Sequence, residues 1–167
     1  MIDDATAADF EQVLAIYNEV IRNTTAVYAD AEYDAAGGST WFDAKLCSGF
    51  PCIVARDAAG VAGFAAFGAF RAWPCYRHSV EHSVHVRADR RGQGVGRALL
   101  LELMARAAAM GKHVMVAAID TENAASIRLH ERLGFSRVGR LREVGFKFGR
   151  WLDLDFLQCI IPPPSGG

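Results

Sequence analysis

A strand, a glycine-rich turn, a helix and a second strand follow one another in the middle of the chain, and this order constrains the fold most strongly. Residues 80–86 alternate so that Val80 and Val84 share one face of a strand and Glu81 and His85 the other. Residues 95–110 repeat apolar side chains every four residues, which predicts a helix, and residues 114–119 are almost all apolar, which predicts a central strand. Strands joined through a helix run parallel with a right-handed crossover, so we expect a mixed α/β domain.

The segments on either side extend this pattern. A capping sequence at Thr6 precedes helical spacing, and apolar runs flank a turn at residues 57–60 that is typical of an antiparallel hairpin. Asn123 is a favourable cap for a short helix that Gly134 would end. The predicted elements are helices over 6–22, 39–48 and 123–133, strands over 52–55, 61–70, 137–146 and 151–161, and a loop over 23–38.

The distribution of charge predicts an anion site in the middle of the chain. The chain has 167 residues, which suits one domain, and a formal net charge of −1. Residues 1–43 hold nine acidic side chains and one basic, whereas residues 44–150 hold 17 basic and eight acidic. The near-neutral total argues against a nucleic-acid-binding protein, because such domains carry a strong basic excess. The basic middle segment is therefore expected to serve a smaller anion.

The cysteines and the hydropathy pattern predict a cytoplasmic protein with reduced thiols and no metal. The four cysteines form no Cys-x-x-Cys pair and have no histidine partners at zinc-finger spacing. The first residues lack the basic start and apolar run of a signal peptide. The longest weakly polar stretch, residues 61–70, is about half the length that a membrane-spanning helix needs, so no membrane partner is expected.

The turn at residues 90–97 has the composition of a phosphate-binding loop. Three alternating glycines and three arginines stand between a strand and a helix, where backbone N–H groups and the helix dipole favour an anion. The turn lacks the Gly-Lys-Ser/Thr of a Walker loop, and Leu99 occupies the third glycine position of the dinucleotide-binding pattern. A flexible turn at a tight crossing is the alternative reading, which the three arginines make less favourable.

Two motifs resemble the GCN5-related N-acetyltransferases. Residues 91–96, Arg-Gly-Gln-Gly-Val-Gly, match the pyrophosphate loop of that superfamily, and residues 123–135 resemble its second acetyl-CoA motif. Residues 80–86 and 145–151 are similar to segments of the phosphinothricin and methionine sulfoximine N-acetyltransferases. The resemblance covers nearly the whole chain. It implies an α/β single-domain acetyltransferase fold over residues 1–161, with a mixed, mostly antiparallel twisted sheet, about four helices, and a flexible tail at 162–167.

The resemblance also implies acetyl-CoA as cosubstrate and a set of residues that bind it. Backbone groups of the predicted strand would hold the pantetheine arm and polarise the thioester carbonyl, and the glycine turn would hold the pyrophosphate. The implied residues are Val84, His85, Val86, Arg91, Gly92, Gln93, Gly94, Val95, Gly96, Arg97, Asn123, Ser126 and His130.

Glu81 is the candidate catalytic residue. Acetyl transfer to an amine needs a base, because an α-amino group with a pKa of about 8 is largely protonated at neutral pH. From the residues alone, a salt bridge from Glu81 to Arg77 or another cation is an equally good interpretation, and the resemblance favours the base. His130 stands where many relatives carry a tyrosine that protonates the thiolate, and Phe148 stands where some phosphinothricin enzymes carry a histidine.

The acceptor is expected to be the α-amine of a small amino-acid analogue such as phosphinothricin, methionine sulfoximine or methionine sulfone. Arg71, Trp73 and Tyr76 precede the Glu81 strand, where the resembling enzymes hold the acidic end of their substrate, and Tyr28 would close over it. Surface charge for Arg71 and core packing for Tyr28 are the alternatives. Acetylation of a protein N-terminus or a polyamine, and an acyl-CoA-binding module without turnover, remain alternative functions. A homodimer is expected from the aromatic residues Phe146, Phe148, Trp151 and Phe156.

Overall fold

The computed structural model describes residues 1–162, so residues 163–167 of the predicted tail lie outside the described part. Residues 1–162 contain four helices and seven strands, with single turns of 3-10 helix at Ala7–Asp9, Pro74–Tyr76 and Ala88–Arg90. The elements in chain order are β1 (Ile2–Asp4), α1 (Phe10–Asn23), α2 (Ala35–Leu46), β2 (Cys52–Asp57), β3 (Gly60–Ala69), β4 (Ser79–Val86), α3 (Val95–Ala109), β5 (Val114–Asp120), α4 (Ala124–Arg132), β6 (Ser136–Lys147) and β7 (Arg150–Ile160).

The strands form one mixed sheet in the order β1-β2-β3-β4-β5-β7-β6. Among these seven strands of the described chain, only β4 and β5 pair in parallel, and α3 connects them. Every other neighbouring pair is antiparallel. The predicted α/β class, the mostly antiparallel sheet and the four helices are therefore confirmed. No helix within residues 1–162 has the length and apolar character needed to cross a membrane.

The helices cover the two faces of the sheet and bury a separate apolar cluster on each. Leu99 and Leu103 of α3 and Ile127 of α4 pack with Val80 and Met115 on one face. The opposite cluster consists of α1, α2, β2 and β3 side chains, and it comprises Val13, Ile16, Phe42, Cys52, Val54, Val61, Phe64 and Ala66. Strand β4 alternates between the two faces as its sequence predicts.

Two predicted helices begin elsewhere in the structure, and one strand was not predicted. Helix α1 begins at Phe10, after the 3-10 turn at Ala7–Asp9, rather than at residue 6. Helix α2 begins at Ala35 rather than at residue 39, because Asp34 caps it and accepts a hydrogen bond from the N–H of Gly37 at 2.7 Å. The loop after α1 is correspondingly shorter than expected. Strand β1 was not predicted, since its three residues are too few to show a period and are held by pairing with β2.

The two parallel strands separate partway along their length, which positions the candidate site. Pairing between β4 and β5 covers residues 79–81 and 114–116 only. Beyond Glu81, β4 continues to Val86 paired with β3 alone, and β5 continues to Asp120 paired with β7 alone. The sheet therefore opens into a gap whose edges are the backbones of two central strands.

Candidate active site

A cleft of roughly 960 Å³ lies beside this gap. Residues 84–86 of strand β4 form one wall of the cleft. The glycine turn and the first residues of α3 form the adjoining wall. Helix α4 lines the opposite side, and the end of α1 with the segment after it closes the cleft. Of the predicted cosubstrate-binding residues, the cleft brings together Val84, His85, Val86, Arg91, Gly92, Gly94, Gly96, Arg97, Asn123, Ser126 and His130.

The glycine turn has the backbone that an anion site requires. Gly92 and Gly94 have φ values of +74° and +85°, which a residue with a Cβ rarely adopts. Gly94 directly precedes α3, so the free N–H groups of that helix open into the cleft. A Cβ on Gly96 would lie 3.5 Å from both Leu129 and Val86, so a larger residue would fill the space between α3, α4 and β4.

Two predicted residues of this turn point elsewhere. The side-chain amide of Gln93 donates to the backbone oxygen of Asp89 at 2.9 Å, and Val95 packs against the core. Neither lines the cleft. Both residues belong to the loop, and their side chains support its shape rather than face the cleft.

Six arginines border the cleft, and half of them are already neutralised. The three paired arginines are Arg90 with Asp57 at 2.5 Å, Arg150 with Glu122 at 2.5 Å, and Arg91 with Glu19. Arg91 also donates to the backbone oxygen of Val86 at 3.1 Å, which fixes its side chain against β4.

The other three, Arg97, Arg128 and Arg132, form no salt bridge with any residue in the 1–162 range. Arg97 lies in the first turn of α3, and Arg128 and Arg132 lie four residues apart on α4, so they share a face. They leave the net positive charge in the cleft. The last two were not predicted, although their spacing in the sequence could have shown them.

His130 of helix α4 pairs with His82 of strand β4 at the cleft. The Asn123 side chain caps the helix by accepting from the N–H of Ser126 at 3.1 Å, as predicted. His130 Nδ1 lies 2.7 Å from the backbone oxygen of Ser126, and its Nε2 lies 3.2 Å from Nε2 of His82 on β4. Burial lowers the pKa of both histidines, that of His82 to about 3, so both are neutral at physiological pH.

The hydrogen bonds of the pair decide its tautomers. The Ser126 oxygen can only accept, so His130 carries its proton on Nδ1 and accepts at Nε2 from the N–H of His82. His130 then has no N–H directed at the cleft. His130 lines the cleft, as predicted, but this arrangement gives it no proton for a leaving thiolate.

Glu81 is half-buried at the last paired position of β4, where the gap begins. Burial raises the pKa of its carboxyl group, and the nearby charge of Arg71 opposes that rise. The carboxylate makes no salt bridge within the described part of the chain, and Arg77 instead donates to the backbone oxygen of Pro74 at 3.4 Å. The alternative of a Glu81–Arg77 salt bridge is therefore not what the structure shows.

The segment between β3 and β4 brings polar and aromatic side chains to the Glu81 side. The Arg71 guanidinium lies 4.2 Å from the centre of the Phe70 ring, and Tyr76 meets that ring edge-on at 5.9 Å. Trp73 is 73% exposed. Arg71 is thus held by its neighbour's ring and its backbone, with no carboxylate partner among residues 1–162, and it is available to an anionic group.

Tyr28, the fourth predicted substrate residue, has its hydroxyl engaged within the protein. The hydroxyl donates to Asp120 Oδ2 at 3.0 Å and lies 3.1 Å from the backbone oxygen of Asp153. Its ring lies against Gly145, where an added Cβ would come within 2.4 Å of it. Tyr28 therefore ties the loop after α1 to the far end of β5 and to β6.

Comparisons with known proteins agree with this geometry. The sequence pattern of the acetyltransferase (GNAT) family matches residues 13–135. An L-methionine sulfoximine/L-methionine sulfone acetyltransferase of Pseudomonas paraeruginosa is 52% identical over 163 residues, covering 97% of this chain and 95% of that protein.

Two solved structures have the same fold. An N-acetyltransferase from Staphylococcus aureus Mu50 superposes with a TM-score of 0.94 at 42% identity, over 97% of this chain and 98% of that one. A GNAT superfamily phosphinothricin acetyltransferase from Sinorhizobium meliloti, solved in complex with acetyl-CoA, gives 0.92 at 37% identity, over 100% and 91% of the two chains. With its separated central strands, its glycine turn and these relatives, the chain belongs to the acetyltransferase (GNAT) family.

Proposed function

We propose that this protein transfers the acetyl group of acetyl-CoA to the α-amine of a small amino-acid analogue of the methionine sulfoximine, methionine sulfone or phosphinothricin class. The names of the relatives supply the substrate class. The observation that carries the proposal is the unpaired, half-buried carboxylate of Glu81 at the point where β4 and β5 separate, with the Arg71 cation near enough to lower its pKa.

The cleft fits the thioester cosubstrate. Acetyl-CoA has a long amide-containing arm and three phosphate groups, and the cleft offers an unpaired strand edge, a helix N-terminus and three unneutralised arginines. The backbone of residues 84–86 holds the arm by hydrogen bonds, and the turn at Gly92 and Gly94 holds the pyrophosphate. The described residues contain no cluster of three side chains suited to a metal ion.

Glu81 acts as the base in a direct transfer. The amine nitrogen forms a bond to the acetyl carbonyl carbon, the carbon–sulfur bond of the thioester breaks, and Glu81 takes the proton that the amine loses. The thiolate receives its proton from solvent, because the N–H of His130 is directed at Ser126. Arg71 binds the anionic end of the acceptor and orients its amine toward Glu81.

A thiol-release assay with acetyl-CoA tests this function. Methionine sulfoximine, methionine sulfone and phosphinothricin are compared with spermidine and with a peptide that has a free N-terminus. We expect CoA release with the amino-acid analogues at a kcat/KM at least tenfold above the other two amines. A preference for spermidine or the peptide would refute the substrate class, and acetyl-CoA binding without release would refute the enzyme assignment.

The three unneutralised arginines supply a second test. We propose that Arg128 and Arg132 bind the 3′-phosphate of the cosubstrate, and each charge-assisted hydrogen bond of this kind is worth about 1.5 kcal/mol. The Arg128→Ala and Arg132→Ala variants should each weaken acetyl-CoA binding about tenfold and discriminate less against 3′-dephospho-acetyl-CoA. Equal loss of affinity for both ligands would place these arginines away from the 3′-phosphate.

A homodimer and a cytoplasmic location complete the proposal. Strand β6 is exposed along most of its length, and Phe146, Phe148 and Trp151 are each more than half exposed, whereas Phe156 is partly buried. Such an apolar surface is typical of an interface. Light scattering should give about twice the 18.1 kDa chain mass, and Trp151→Lys should halve it. The four free thiols fit a reducing compartment.

A further inference from the structure

Lys147 is a buried cation that the proposed reaction does not use. Its side chain is at the end of β6, and the residue is only 3% exposed. The ammonium group donates to the backbone oxygens of Ile21 at 2.6 Å, Thr24 at 2.8 Å and Val27 at 2.7 Å. It forms no salt bridge within residues 1–162, so its burial is compensated mainly by hydrogen bonds to three carbonyl groups, and it also lies 5.0 Å from the centre of the Phe148 ring.

These three contacts gather the end of α1 and the segment that follows it around one atom. An ammonium group has three N–H donors, and all three are used. Ile21 belongs to the last turn of α1, where the carbonyl oxygens have no partner within the helix and the dipole favours a cation. Thr24 and Val27 lie in the loop, which has no regular hydrogen bonding of its own.

The anchored segment is a wall of the cosubstrate cleft. Asn23, Thr24, Thr25 and Ala26 all line it. On the other side of Lys147, Phe148 in the turn between β6 and β7 and Arg150 at the start of β7 line the same cleft. Arg150 is paired there with Glu122, which also lines it. Lys147 thus stands directly behind two walls of the cleft and joins them.

We propose that Lys147 is a positioning residue for acetyl-CoA binding, which holds residues 23–26 at the distance from the β6–β7 turn that the cosubstrate requires. It touches neither the acetyl group nor the amine. This inference rests on the proposed function.

The inference predicts that loss of Lys147 weakens acetyl-CoA binding but leaves kcat and KM for the amine nearly unchanged. A lysine that only stabilises the fold would not produce this difference. Lys147→Met keeps the length of the side chain and removes all three donors. Acetyl-CoA affinity should fall at least tenfold by isothermal titration calorimetry, while kcat at saturating acetyl-CoA and KM for the amine stay within about threefold of wild type. Lys112→Met is the matched control, because Lys112 also donates to a backbone oxygen, that of Arg77 at 2.9 Å, but Arg77 does not line the cleft, whereas Thr24, which Lys147 holds, does.

Each outcome of this experiment is decisive. Unchanged acetyl-CoA affinity in a folded Lys147→Met protein, even with a lower Tm, would overturn the inference. If that variant does not fold, Lys147→Gln takes its place, since it keeps two donors on a shorter side chain, and its affinity should fall at least threefold. Failure of both variants to fold would also overturn a positioning role. Absence of acetyl-CoA binding by the wild type would instead overturn the proposed function.

Discussion

Replacement of Glu81 by glutamine tests the proposed base with little risk to the fold. The carboxylate has no hydrogen bond or salt bridge within the described residues, and glutamine has nearly the same shape. The substitution removes a half-buried charge that burial already disfavours, because burial raises the pKa of this group. The Tm of Glu81→Gln should therefore equal or exceed that of the wild type, and any loss of activity will report on the chemistry.

The expected loss follows from the protonation state of the amine. With a pKa of about 8, only about 1% of an α-amine is neutral at pH 6, so loss of the group that removes its proton costs roughly 100-fold at that pH. General bases contribute about 10²- to 10⁴-fold in all. We expect kcat of Glu81→Gln to fall within that range at pH 6–7 and the deficit to shrink toward pH 9, where the amine is neutral without help.

The measurement is a kcat profile from pH 6 to 9 for both proteins at saturating acetyl-CoA, with the acetyl-CoA Kd determined in parallel. The Kd should be unchanged, because Glu81 does not line the cosubstrate cleft. Wild-type turnover by Glu81→Gln, or a deficit that is the same at every pH, would refute the reasoning. A raised acetyl-CoA Kd would show that Glu81 acts through binding instead.

Two further predictions concern the surroundings of this site. Arg71→Ala should raise KM for an anionic acceptor far more than KM for acetyl-CoA. It should also move the acid limb of the kcat/KM profile to higher pH, because loss of the cation raises the pKa of Glu81. An unchanged acid limb would show that the Arg71 charge does not act on Glu81. Gly145→Ala should lower stability by about 1–3 kcal/mol, since its Cβ would lie 2.4 Å from the Tyr28 ring. Calorimetry should show a Tm lower by roughly 2–10 °C. Gly139→Ala is the control and should leave Tm unchanged, because a Cβ at Gly139 has open space around it. Equal Tm values for both variants would argue against the contact between residue 145 and Tyr28.

Elements with a strong local signal were predictable from the sequence. The alternation in residues 80–86 and the four-residue spacing in α3 are imposed by burial of one face, which each segment shows independently of the rest. The glycine turn was also predictable from local sequence, because positive φ values restrict the residue type at a position. Helix α2 was missed at its start because Ala35–Gly38 has no apolar period, and only the Asp34 cap holds it.

The site depended on contacts between distant parts of the chain. Lys147 binds carbonyl groups more than a hundred residues away, and Arg91 binds Glu19 on α1. Such pairings decide which arginines remain free to bind a phosphate. The sequence showed 17 basic residues in the middle segment but no way to tell Arg128 from Arg150.

The sequence by itself determined the order of the main elements and the glycine turn before α3, because each depends on residue type and local spacing. Its resemblance to the acetyltransferases indicated the family and Glu81 as a candidate base. The tertiary structure alone decided where β4 and β5 separate, that Glu81 has no salt-bridge partner among residues 1–162, and that the His130 proton is directed at Ser126. The physical reason is that protonation states and open ligand positions depend on which groups meet in space, and chain order does not record those meetings.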